Sequence, residues 1–109
     1  MANNRGDEII NIGGKEYTAR PTFAALDSIE SACDKGIIEL VNSFVDTSVR
    51  LKSINLILFH CIKALHTDLP SFDDFCQQVF EERNFQKFSE IACKLIFNGI
   101  DSGEPEKKE

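Results

Sequence analysis

Ser53 to Leu65, SINLILFHCIKAL, is the longest apolar run in the chain, and it limits the folds open to the rest. At 100° per residue, Ile54, Ile57, Leu58, Cys61, Ala64 and Leu65 form one stripe, widened by Ile62. Leu56 and Phe59 fall on the opposite side, next to Lys63. A helix that is apolar almost all round sits at the centre of a bundle, or packs on one side and binds a partner on the other. The run is too short to span a bilayer, and His60 and Lys63 interrupt it. The sequence therefore predicts a small helical domain built around this segment.

The stretch before it starts differently. In EIINIGGKEYTAR, two short runs rich in Ile, Tyr and Thr flank Gly13-Gly14. A two-residue hairpin turn needs positive φ, which glycine adopts freely. That turn puts Ile10 and Ile12 on one face with Lys15, Tyr17 and Ala19, and sets Ile10 opposite Tyr17. An isolated hairpin is marginal in water, so this face must pack on the helices. Pro21 ends the ladder and Thr22 caps a helix from Phe23 to about Lys35. Its expected stripe is Phe23, Leu26, Ile29 and Cys33, extended by Ala25 and Ala32, with Gly36 as its left-handed stop.

Three more helices are expected around the central one. Ile37 to Val45 reads as a second, strongly apolar helix. Asp46-Thr47-Ser48 breaks the pattern, and Val49-Arg50-Leu51 reads as an extended lead into the central helix, with Ser48 or Ser53 as its cap. After a loop ending at Pro70, Ser71 caps a helix from Phe72 to about Arg83, and Asp74 completes an approximate capping box. The last helix runs from Phe85 to Asn98, with Phe85, Phe88, Ile91, Ala92, Leu95 and Ile96 inward and Gly99 closing it. The fold class is thus mainly α, an N-terminal β-hairpin followed by a compact bundle of about five helices. Residues 8–100 form one domain, between a flexible stretch 1–7 and a disordered tail 101–109 that lacks a hydrophobic core.

Charge and cysteine usage narrow the function. The net charge of −6, with 12 Lys and Arg scattered and no basic helix face, argues against nucleic-acid binding. Cys33, Cys61, Cys76 and Cys93 contain no CxxC and lie on or beside apolar stripes. They read as free thiols in a reducing compartment. With no signal pattern at the N-terminus, a cytoplasmic location is expected.

Catalysis needs an acid, base or nucleophile held in a pocket, and the chain offers little for one. His60 and His66 do not share a helix face, and Cys61 points away from His60. His66 is expected to interact with the carbonyls ending the central helix. Asp73-Asp74 and Glu81-Glu82 read as solvated helix ends. No nucleotide, metal or cofactor motif is present, so the chain is expected not to be an enzyme. Leu56, Phe59 and Phe97 are the apolar residues facing away from their helix stripes. They are the candidate partner-binding residues, with intramolecular packing as the alternative.

The segment GGKEYTARPTFAALDSIESACDKGIIELVNSF resembles the small tail proteins of gene transfer agents and related prophages, grouped with phage tail assembly chaperones. The resemblance rests on Gly13, Gly14, Tyr17, Arg20, Pro21, Thr22, Phe23, Leu26, Ile29, Glu30 and Gly36. It implies a bacterial, non-enzymatic chaperone that binds the tape-measure protein, tail-tube proteins, or both, during tail assembly. The alternatives are a minor structural tail component, virion-associated, and an unrelated intracellular regulatory helical domain.

Overall fold

A computed structural model describes residues 6–101. In chain order the elements are β1 (Glu8–Ile12), β2 (Lys15–Ala19), α1 (Phe23–Cys33), α2 (Ile37–Val45), α3 (Leu51–Lys63), α4 (Phe72–Glu82) and α5 (Phe85–Asp101). The fold is the expected hairpin followed by five helices. The expected loose N-terminus and polar tail lie outside the described residues, apart from Gly6, Asp7 and Asp101. Of these, Asp7 is held by a two-pronged pair, Arg20 Nε and Nη2 donating to its carboxylate at 2.9 and 3.0 Å.

The hairpin is antiparallel, and Ile10 pairs with Tyr17 as its turn dictates. Gly13 and Gly14 both have positive φ, +61° and +77°. Ile10, Ile12, Tyr17 and Ala19 are buried together. The outer edge of β2 is not left open. The Thr18 N–H donates to Nε2 of His66 at 3.1 Å. The Arg20 N–H donates to the Cys61 carbonyl at 2.9 Å, which answers one of the orphan acceptors at the end of α3. His66 therefore tethers the hairpin; its ring meets Tyr17 edge-on and Nε2 serves a strand amide, where carbonyls of its own helix were expected.

Helix α3 is the centre. Every residue from Ser53 to Phe59 is buried, as are Cys61 and Ile62, and α3 contacts β2, α1, α4 and α5. It starts two residues earlier than its apolar run. Leu51 opens it and Arg50 is the N-cap position, with no side-chain bond. Neither Ser48 nor Ser53 caps it, and Val49 to Leu51 adds no strand to the two-stranded sheet. Ser48 bonds Asp46, and Ser53 is buried in the core.

The α1–α2 junction also differs from expectation. Asp34, not Gly36, takes the left-handed conformation, at φ 56°; a short polar side chain tolerates this better than most. Gly36 is instead the N-cap position of α2. The Glu30 carboxylate, reaching over from α1, accepts the Ile37 N–H at 2.8 Å. Thr22 caps α1 by accepting the Ala25 N–H, and Ser71 caps α4 by accepting the Asp74 N–H.

Phe23 leaves its expected stripe, being 85% exposed. Helix α1 turns Ala25 and Ile29 inward, and Phe23 lies about 160° and 120° from them around the axis. Gly99 does not stop α5, which runs on to Asp101. A Cβ at Gly99 would stand 2.9 Å from Leu26 Cδ1 and 3.1 Å from Pro21 Cβ, so glycine there lets α5 approach the start of α1. Close by, Nδ2 of Asn98 donates to the Gly6 carbonyl at 3.2 Å, joining the last helix to the chain before β1.

Candidate partner-binding surface

The structure separates the three residues singled out from sequence. Leu56 and Phe59 are only 7% and 9% exposed. The Phe59 ring packs edge-on against Phe72 and Phe75 of α4, at 5.3 Å each. The far side of α3 is thus covered by α4, and the intramolecular alternative describes both residues. Phe97 is 40% exposed, as is Ile100 one turn on, so an apolar spot remains near the end of α5.

A larger apolar opening lies elsewhere. A cleft of about 720 Å³ runs between the start of α3, the outer face of α4 and the start of α5. Leu51, Val79, Phe80 and Phe85 line it, and Asn55 lies within it. Leu51, Phe80 and Phe85 are each about half exposed. The Asn55 Oδ1 is buried and has no hydrogen-bond partner among the described residues. The cleft exists because Phe80 and Phe85 flank the sharp α4–α5 turn, where Arg83 is left-handed at φ 56°, and Arg83 lies over the Phe80 ring at 4.8 Å. The sequence pattern places Phe85 inward on the last helix, whereas it is about half exposed here. The available signal was the position of Phe80 and Phe85 on either side of Arg83-Asn84, where the helix breaks.

The titratable groups serve structure. Lys15 and Asp68 pair at 2.8 Å on the surface, and that hydrogen bond raises the lysine and lowers the carboxyl. Burial lowers His60 and pushes Cys61 up to about 12. All four cysteines are free. Among the described residues, no group of three or more His, Cys, Asp or Glu is placed to hold a metal ion, and no helix is long and apolar enough to cross a membrane.

Comparison places this hairpin and five-helix bundle in the phage tail class. Residues 5–100 match the family described as phage tail tube protein, GTA-gp10, and the chain belongs to that family. No curated protein and no solved structure matches it.

Proposed function

We propose that this protein is a non-enzymatic structural component of a phage-like tail, of the gene transfer agent or prophage kind, retained in the particle. The observation that carries the reading is the family match, which spans nearly all of the described domain and whose description is that of a tail tube protein. The apolar cleft beside Phe80 and Phe85 supports it, because contiguous exposed apolar surface on a small protein marks contact with other proteins. Tape-measure and tail-tube proteins are the proposed partners.

Quantitative mass spectrometry of purified particles tests this. A fixed, multi-copy stoichiometry relative to the capsid protein is the expected result. Absence from finished particles, with recovery of the tape-measure protein on pull-down from producing cells, would replace it with the chaperone role.

A further inference from the structure

The two edges of the hairpin differ. A two-residue turn with positive φ at Gly13 and Gly14 makes Ile12 and Lys15 a hydrogen-bonded pair, and pairs alternate along the ladder from there. Ile9–Thr18 and Asn11–Glu16 are therefore the pairs whose N–H and C=O groups point away from the hairpin. The Thr18 N–H, donating outward to His66, obeys this parity. On the β2 side, His66 and the Cys61 carbonyl occupy the edge. On the β1 side, the N–H and C=O groups of Ile9 and Asn11 meet no partner among the described residues. Both residues are exposed, and backbone groups left unpaired in a folded chain face water, so this edge is open. β1 also lacks the usual guards of an edge. It has no proline, lysine or bulge, and its one charge, Glu8, stands at its end. We propose that the open edge of β1 is a docking site for an extended, basic segment of a partner protein, added as an antiparallel third strand.

The edge defines the backbone of its occupant. Three residues of an antiparallel strand satisfy all four groups, two hydrogen bonds going to Ile9 and two to Asn11, where the slanted bonds of a parallel strand need five residues. Side chains alternate across a strand, so the residues facing Ile9 and Asn11 lie on the outer side of the sheet. There Ile9 is 50% exposed, and an apolar β-branched neighbour covers it. Glu16, exposed beside Asn11, has no ion-pair partner among the described residues. The other charges on this side of the hairpin, Asp7 and Arg20, pair with each other. A lysine or arginine facing Asn11 stands one strand beyond it and reaches toward Glu16 with its long side chain. In chain order the occupant thus reads Lys or Arg, any residue, then Val or Ile. A second copy is a poor occupant, because its own β1 offers no cation at that place and the copy brings a net charge of −6. This inference stands on the hairpin and does not need the tail assignment.

Amide hydrogen exchange, followed residue by residue by NMR, tests this with the full chain. The chain alone is compared with two fusions. One carries Thr-Lys-Thr-Val-Thr at the N-terminus through a flexible glycine–serine linker, and the other carries Thr-Glu-Thr-Glu-Thr in its place. An antiparallel strand ends where β1 begins, so this linkage suits the proposed pairing and holds the probe at a high effective concentration. In the chain alone, the Ile10 and Ile12 amides are expected to be protected, and the Ile9 and Asn11 amides to exchange as in an unstructured peptide. The basic fusion is expected to slow exchange at Ile9 and Asn11 by about tenfold or more, and the acidic fusion to leave both unchanged. Slow exchange at Ile9 and Asn11 in the chain alone overturns the proposal. It assigns the edge to a second copy if protection grows with protein concentration, and to the chain's own residues if it does not. A basic fusion that protects these amides no better than the acidic one overturns the proposal as well.

Discussion

The backbone N–H of Thr18 donates to Nε2 of His66 across 48 residues of chain, at 3.1 Å. With the Arg20 N–H on the Cys61 carbonyl, it covers the free edge of β2 with the end of α3. An edge strand closed in this way is no longer a template for pairing with other chains. His66→Ala leaves a partly buried strand amide without an acceptor and removes the edge contact with Tyr17. The expected cost is about 1–3 kcal/mol. Urea unfolding measures it, and native-state hydrogen exchange should show the Thr18 amide losing protection before the helices do.

Gly99→Ala is expected to destabilise, reversing the usual sign. In an open helix the change gains about 1 kcal/mol of propensity. Here the new methyl meets Leu26 and the Pro21 ring at 2.9 and 3.1 Å, and a proline ring has little room to give. Overpacking of this kind costs about 1–3 kcal/mol. A lowered urea midpoint with an unchanged m-value is the predicted result.

Phe59 and Phe97 should separate cleanly. Phe59→Ala removes a buried ring packed on Phe72 and Phe75 and is expected to cost about 3–5 kcal/mol. Leu58→Ala, at a fully buried position, is expected to cost about 2–5 kcal/mol. Phe97→Ala should leave the melting transition nearly where it was and weaken binding to a tail partner in a pull-down. If Phe97→Ala unfolds the domain instead, Phe97 belongs to the core.

Cys61 makes stability fall in alkali. Burial raises its folded pKa from an ordinary 9.0 to about 12. Above pH 9 the unfolded chain loses this proton and the folded chain keeps it, so the unfolded state binds fewer protons and stability drops as pH rises. Between pH 9 and 12 the thiol alone contributes a loss of about 1.4 kcal/mol per pH unit. Cys61→Ala should flatten the slope by that amount, and the more exposed Cys33, Cys76 and Cys93, present in both proteins, cancel in the comparison. Equal slopes would place Cys61 in contact with solvent.

What could be read from sequence was what depends on neighbours in the chain. The Gly13-Gly14 turn fixes the pairing of Ile10 with Tyr17 by counting alone. Thr22 and Ser71 cap helices that begin one residue later. The limits of α2 were equally legible, because apolar residues fill it and Gly36 and Asp46 bound it. What failed depends on partners distant in sequence. The role of Gly99 appears only once α5 lies against Pro21 and Leu26. Phe23 fits an amphipathic stripe until α1 packs with Ala25 and Ile29 inward. Of the three residues singled out, only Phe97 stays partly exposed. Leu56 and Phe59 face away from one stripe of α3 because α3 has neighbours on both sides, and the cleft needed the geometry of the turn at Arg83.

The bond from Asn98 to the Gly6 carbonyl spans 92 residues. On the ribosome, the hairpin emerges before the five helices, and α5, which secures its leading end, follows the other four. The strands can pair early, because their turn is local, but the apolar face of Ile10, Ile12 and Tyr17 stays uncovered until the helices follow. Completion of the fold thus waits for α5, and a chain truncated before Asn98 would expose the sticky side of its own hairpin.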